Sequence, residues 1–390
     1  MHMQIPVELI WGAAVAVSLL GLLYVYLLIR FARLKKIAQG QSQETSPTVA
    51  PSVSVIIAAH DQAVALEENL PLFLQQEYPG EFEVIVVDIH STDETANVLE
   101  RLENEYSALS HTNVPASARD ISLERLAVML GMRASAGEWV VLTNAQYKPL
   151  SNNWLSSLMS QAKEDVDVIL GYTSEERIQS LGASFGQFMQ LWEQMLWMPH
   201  ALRHLPYRAD EGLTAIRRET FIGKSIFAES ANLVGSVHTL LVNQNAEKGR
   251  VAVSVQPESQ LCLTHTRLHS YWQRNVFFMQ ERRTLHEVCL YRLHYALQVL
   301  VPRLFGWSCV AMAALLGITI EPLLALAPLS VFLIMALVRH RIYRLTAKRL
   351  DVQTSSIAYW LYEALIPYID TAAWLTWRFS KKRTFRKKFV

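Results

Sequence analysis

The sequence predicts an α/β protein with a mostly parallel sheet, helices on both of its faces, and transmembrane helices at the two ends of the chain. Three observations predict it. Short β-branched runs alternate with helical stretches from Val53 to Leu142, the pattern of βαβ units. The composition, 51% hydrophobic and 18% charged with a mean hydropathy of +0.15, is too apolar for an ordinary soluble protein and too charged for one held wholly in a bilayer. Long apolar runs lie towards both ends of the 390 residues.

The formal net charge of +1 excludes a global electrostatic attraction to nucleic acid or to an acidic partner, so no nucleic-acid partner is expected. Three cysteines, Cys262, Cys289 and Cys309, make no disulfide framework and include no C-x-x-C pair for structural zinc.

Taken in order, Leu9 to Ile29 is an uncharged run long enough to cross a bilayer core as a helix. Arg30, Arg33, Lys35 and Lys36 follow it, which places residue 30 onward in the cytoplasm by the positive-inside rule. Residues 1–36 are therefore a membrane anchor and 37–52, rich in Gln, Ser, Thr and Pro, a linker. A cytosolic domain over 53–290 opens with a strand at Val53 to Ala58 and a helix at Ala65 to Gln76. A strand at Glu83 to Val87 and a helix at Thr92 to Tyr106, capped by Ser91 or Thr92, come next. A helix over Arg119 to Ala136 stops at Gly137 and a strand runs from Trp139 to Leu142. Phe185 to Met198 has helical spacing and reads as a core or membrane-facing helix.

Residues 291–345 form a transmembrane hairpin, Leu304 to Ile320 and Leu323 to Val338, turning at Glu321-Pro322 with basic residues at both cytoplasmic ends. In 346–390, Ile357 to Phe379 carries Glu363 and Asp370 among apolar residues. That suits an interfacial or groove-packed helix, and a basic tail follows.

The polar segment after Leu142 lies where an open α/β sheet binds its ligand, at the carboxyl end of a parallel strand. P-S-V-S-V-I-I-A-A-H-D-Q, E-V-I-V-V-D-I-H-S-T-D-E-T and G-E-W-V-V-L-T-N-A-Q-Y-K-P, followed by A-I-R-R-E-T-F, L-L-V-N-Q-N-A-E-K-G and Gln280-Glu281-Arg282-Arg283, resemble in order and spacing a family-2 glycosyltransferase of the GT-A fold, across about Val53 to Thr284. The resemblance implies inverting transfer of a sugar from a nucleoside diphosphate to an acceptor hydroxyl. Such chemistry uses a group that holds the nucleoside, a cation at the leaving diphosphate, and a general base.

Matched position by position, the chain departs from the family at its acids. The pair after the second strand is Asp88 and Ile89; the D-x-D positions hold the amides Asn144 and Gln146; the acidic cluster corresponds to Val237, His238 and Thr239. Gln280 and Arg283 match the Q-x-x-R of Q-x-x-R-W, with Thr284 at the tryptophan position. The resemblance thus implies nucleotide-sugar contacts at Asp88, which otherwise caps the next turn, and at Asn144 and Gln146; Arg217 and Arg218 are either cations replacing the metal at the nucleotide-sugar's diphosphate or solvated surface. It implies acceptor or diphosphate contacts at Gln280, Arg282 and Arg283; where the acidic cluster is replaced, His238 is either the base of a metal-independent transferase or a satisfied, partly buried histidine. Lys224 adds a further cation. His60 and His90 stand at strand ends beside the same cleft, without a third ligand.

No cofactor is expected, and Mg or Mn enters only where the Asn144/Gln146 site still binds a metal. The expected partners are the lipid bilayer, a nucleotide-sugar, a glycan or lipid-linked acceptor, and a membrane protein; the expected location is a bacterial inner membrane with the main domain cytoplasmic. Two readings stay open: an enzyme of surface polysaccharide or glycolipid synthesis, and an inactive relative acting as a binding subunit.

Overall fold

The structure, a computed structural model, describes residues 7–41, 50–115, 122–176, 181–222, 236–264, 272, 275–276, 278–279, 281–282, 285–352 and 355–379. Helices α1 (Val7–Phe31) and α2 (Arg33–Gln41) lead into β1 (Val53–Ala59), α3 (Ala63–Leu74), β2 (Phe82–Asp88), α4 (Thr95–Glu105), β3 (Leu109–Asn113), α5 (Leu123–Ala134) and β4 (Trp139–Asn144). Then come β5 (Tyr147–Pro149), α6 (Trp154–Met159), β6 (Val168–Gly171), β7 (Thr173–Glu175), α7 (Leu181–Ala201), β8 (Thr214–Arg217), α8 (Arg218–Phe221), α9 (Val237–Asn245), β9 (Val251–Ser254) and β10 (Leu261–Leu263). Three long helices close the chain: α10 (Val288–Thr319), α11 (Leu326–Arg349) and α12 (Ser356–Phe379).

Seven strands form one sheet in the order β3-β2-β1-β4-β8-β6-β9, and β5-β10-β7 form a smaller one. β8 alone runs antiparallel to its neighbours in the large sheet; the other pairings are parallel. Period-2 alternation divides each strand between two cores. Val53, Val55 and Ile57 face α3, α4 and α6, whereas Ile56, Ile85 and Val87 face α5, α7 and α9. Helices thus cover both faces, as expected. The Phe185 to Met198 stretch is core: Met189, Leu191, Trp192 and Met195 of α7 are wholly buried, each burial contributing about 1.5–3 kcal/mol.

The second core joins the domain to the long helices. Phe31 and Leu34 of the amino-terminal helices, Tyr343 of α11 and Tyr359 of α12 belong to the same cluster as Trp192. α2 takes the place of the first residues of the expected linker. Its terminal Gln41 is buried, with Val255 N–H donating to its Oε1 at 3.0 Å and its Nε2 bonding Gln161 and the Val253 carbonyl. Residues 42–49 lie outside the described ones.

Among the described residues, three stretches are long and apolar enough to cross a membrane: Glu8–Gln41, Val288–Ile318 and Pro322–Arg349. The first arm of the hairpin begins well before Leu304, because α10 continues a helical stripe through Tyr291, Tyr295 and Val299 that packs on the domain. α12 is a single helix seated against α7 and α11: Tyr359 and Tyr362 pack on Phe188, with centroids 5.7 and 5.5 Å away.

Two local expectations change. The helix after β2 starts at Thr95, whose N–H is accepted by Asp93 Oδ1 at 3.0 Å, so Ser91 and Thr92 do not cap it. The helix before β4 ends at Ala134, and Gly137 serves the sheet: a Cβ there would lie 2.6 Å from the Ser54 nitrogen, and its N–H donates to Ser54 Oγ at 2.9 Å.

Candidate functional site

The parallel strands end along one edge. Register pairs Ala59 with Asp88, Ala58 with Asn144 and Asp88 with Asn113. β8 enters from that same edge, since its first residue, Thr214, pairs with Leu142.

Two loops at the edge are locked together. Asp61 and His90 both adopt left-handed backbone, φ 50° and 53°, conformations that Asp and His tolerate better than most side chains. Asp61 Oδ1 accepts the Thr92 N–H at 2.6 Å, and that bond is the main cause holding its carboxyl below the ordinary range. His60 Nδ1 lies 2.6 Å from the Ile89 carbonyl oxygen and His90 Nε2 2.9 Å from that of Val114, so each histidine is tied to backbone. Asp88 is buried, and its Oδ1 accepts from the Ser91 N–H at 3.1 Å and from the Ser91 hydroxyl.

At the D-x-D positions, Asn144 Oδ1 accepts the Gln146 N–H at 3.0 Å and faces Gln62 Nε2 at 3.5 Å. The Gln146 carbonyl accepts from Thr264 N–H at 2.9 Å and Oγ1 at 2.8 Å, which joins the loop to the end of β10. A hard dication prefers carboxylate oxygens. These are neutral amides, one already engaged in its own turn, and the pair does not fit such a cation. Among the described residues no three His, Cys, Asp or Glu are grouped to hold a metal.

Carboxylates reach the same edge from a loop that the sequence reading passed over, Asp210-Glu211-Gly212, immediately before β8. A Cβ on Gly212 would lie 2.4 Å from the Tyr147 ring and 2.8 Å from Thr173, so only glycine lets the loop lie this close to β5 and β7. Asp210 is braced: Oδ2 accepts from Thr173 Oγ1 at 2.7 Å and Gln194 Nε2 at 3.1 Å, and Oδ1 accepts the Gly212 N–H at 3.1 Å. Glu211 is exposed. A small cavity beside the pair is lined also by Glu193, Arg208, Ser236 and Glu281. Burial, reinforced by Glu211, pushes the Glu281 carboxyl up to about 8. The available signal was an acid pair ahead of a glycine turn and a short strand.

His238 is corrected. It lies in α9, 5% exposed, with Nδ1 bonded to Thr214 Oγ1 at 3.1 Å, and burial pulls its imidazole down to about 4 against a smaller opposing pull from Asp210. A group so buried and so weakly basic is a structural histidine rather than a base.

Arg217 and Arg218 are corrected too. Arg217 pairs with Trp139, the first residue of β4, about 16 Å of strand away from Asn144. It bonds Glu138 at 2.7 Å and lies 3.7 Å from Asp167, and the Arg218 N–H donates to the Glu138 carbonyl at 2.8 Å. Both serve the opposite edge. Arg282 lies beside Tyr207 in a second, larger cavity. Gln280, Arg283, Lys224 and Thr284 lie outside the described residues.

The glycosyl transferase family 2 model matches residues 54–207. Among solved structures, the chain is similar to the mannosyltransferase PcManGT of Pyrobaculum calidifontis in complex with GDP-Man and Mn2+, at 19% identity and TM-score 0.47, over 91% of this chain and 98% of that one. It is also similar to residues 1–349 of S. aureus TarS in complex with UDP-GlcNAc, at 14% identity and TM-score 0.41, over 86% and 92% of the two chains. No curated relative matches the sequence. The family match begins inside β1 and ends just past α7, so the stretch similar to glycosyl transferase family 2 takes in the parallel strands whose ends form the edge.

Proposed function

We propose that this protein is a membrane-bound transferase that passes a sugar from a nucleotide-sugar to a lipid-linked or glycan acceptor at the cytoplasmic face of a bacterial inner membrane. The observation that carries this reading is the Asp210-Glu211 pair at the ligand edge, on a turn that Gly212 presses against Tyr147. In this reading Asp88, at the end of β2, and Asn144, at the end of β4, border the nucleoside side. Glu211 takes the proton from the acceptor hydroxyl as the new bond to the anomeric carbon forms and the bond to the diphosphate breaks. Asp210, fixed by Thr173 and Gln194, orients the loop. The donor set at Asn144 and Gln146 favours a reaction in which no step depends on a metal held there.

The second reading, a binding subunit without turnover, is favoured by one observation: Asp88 and Asn144 each satisfy an oxygen within their own loops. Incubating the purified full-length protein with a panel of nucleotide-sugars and extracted membrane lipids, with and without Mn2+, tests both. Release of nucleoside diphosphate only when lipid is present, unchanged by Mn2+ and lost in Glu211→Gln, supports the transferase. Tight nucleotide binding with no release under any condition supports the second reading.

A further inference from the structure

The larger cavity, about 660 Å³, opens where α10 and α12 meet the domain. Its floor is aromatic. Tyr207 and Tyr291 stack with centroids 3.9 Å apart, and Phe278 meets Tyr207 edge-on at 5.3 Å.

Its charges are unequal. The acids are engaged: Glu193 pairs with Arg208, whose guanidinium also lies 4.7 Å over the Phe278 ring, and Asp370 Oδ2 accepts from Tyr295 Oη at 2.7 Å. Burial pushes the Asp370 carboxyl up to about 6, which trims its negative charge near neutral pH. Arg282 and Arg292 also line the space, and neither has a carboxylate partner among the described residues. Arg282 is half-buried against Met279 and Arg292 is exposed. The cavity therefore carries an excess of positive charge over an apolar, aromatic lining, and guanidinium groups favour phosphate oxygens.

Its rim is apolar. Leu293 and Leu300 of α10 and Trp374 of α12 are 58%, 52% and 45% exposed. α10 is one of the helices long enough to cross a membrane, and Leu293 and Leu300 lie in its first half, before the apolar run that follows Arg303. A cationic seat with an apolar exit beside a membrane helix matches an amphiphile entering sideways from the bilayer. The far wall leads to the candidate site, because Glu193, Arg208 and Phe278 line both cavities.

We propose that this cavity is the acceptor-lipid site: it takes a membrane lipid with a phosphate-containing headgroup, with Arg282 and Arg292 on the phosphate and the chains leaving past Leu293, Leu300 and Trp374. The proposal rests on the transferase reading for the word acceptor. The lipid site itself stands on the cavity alone.

The test is a binding titration of full-length protein in neutral detergent, read by native mass spectrometry, with dioleoyl phosphatidic acid as the lipid phosphate. Dioleoyl phosphatidylcholine and inorganic phosphate are the competitors. Saturable binding of one phosphatidic acid that neither competitor displaces, weakened at least tenfold by Arg292→Glu and left unchanged by Glu211→Gln, is the expected result. Arg292 is exposed and forms no ion pair among the described residues, so this variant should fold; the parent melting temperature verifies it, and Trp374→Ala, at the rim, provides an independent second variant. Equal lipid binding by the parent and both variants would overturn the proposal, as would displacement by inorganic phosphate, which would mark a free-anion site. Intact lipid binding without sugar transfer to any lipid would instead remove the transferase reading and leave the lipid site standing.

Discussion

Asn144 Oδ1 accepts the N–H of Gln146 at 3.0 Å, so the first of the two residues to which the sequence resemblance assigns metal-binding carboxylates closes its own turn. A carboxylate oxygen accepts the same bond, and the turn has no requirement for an amide nitrogen in that contact. The double variant Asn144→Asp, Gln146→Asp should therefore keep the parent melting temperature within about 3 °C. It should also gain Mn2+ affinity by tenfold or more, measured by calorimetry in the presence of nucleoside diphosphate. Unchanged Mn2+ affinity would show that this loop is not at the diphosphate.

Asp210 and Glu211 are neighbours with different work, and substitution should separate them. Asp210 accepts three hydrogen bonds, from Thr173, Gln194 and Gly212; Asp210→Asn replaces an acceptor oxygen with a donor in that set and should cost about 1–3 kcal/mol. Glu211 is exposed, so Glu211→Gln should leave melting unchanged while turnover drops by about 100-fold or more, the usual contribution of a general base. Thermal melts beside initial rates of nucleoside diphosphate release make the comparison.

Glu281 gives the domain a pH dependence of definite sign. Its folded carboxyl titrates at about 8, above its ordinary range, because burial disfavours the charge. A raised folded value means that its contribution is fully present below the unfolded carboxylate range and is lost as pH climbs to about 8. The melting temperature should fall over that interval by on the order of 5 °C from this group, and Glu281→Gln should flatten the fall. His238 acts in the opposite direction. Its folded value near 4 lies below the ordinary 6.5, so its contribution holds above 6.5 and fades as pH drops through about 4. A slope that Glu281→Gln leaves intact would place the responsible group elsewhere.

The reading of the sequence reached the strands that carry their own signal. β1, β2 and β4 are continuous β-branched runs between polar ends, as strands buried on both faces must be, and the topology rule then locates Asp88 and Asn144 at the ligand edge. β8 carries no such signal. It is a four-residue strand, and nothing in Thr214–Arg217 encodes that it runs antiparallel. Because it runs antiparallel, β8 delivers Asp210 and Glu211 to the ligand edge and sends Arg217 and Arg218, which motif matching alone places at the site, to the far side. His238 failed for a different reason, since a helix position between two apolar neighbours does not reveal whether an imidazole faces a cleft or the core. The cavity near α12 was equally hidden, because Arg208, Arg282, Arg292 and Asp370 meet only through tertiary packing.

Glu363 of α12 and Arg339 of α11 form an ion pair at 2.5 Å, with Arg339 only 1% exposed. The guanidinium also donates to Gln298 Oε1 of α10 at 3.0 Å and lies 4.4 Å from the centroid of the Phe31 ring, while Arg303 bonds the Glu363 carbonyl. Four helices therefore meet on one charge, and removing its counterion alone is the damaging change. Glu363→Ala should destabilise the protein by about 3–5 kcal/mol, whereas replacing the pair together, Arg339→Met with Glu363→Leu, should recover most of that loss because both desolvation costs vanish. The same pair sets the position of α12, whose Asp370, Thr371 and Trp374 line the larger cavity. The double variant, if it melts like the parent, should also bind phosphatidic acid like the parent. Glu363→Ala, where it can be purified, should lose lipid binding along with stability. Detergent-phase melting curves read beside lipid titrations decide it: a stable Glu363→Ala protein with full lipid binding would mean that α12 is held by its tyrosines and not by this charge.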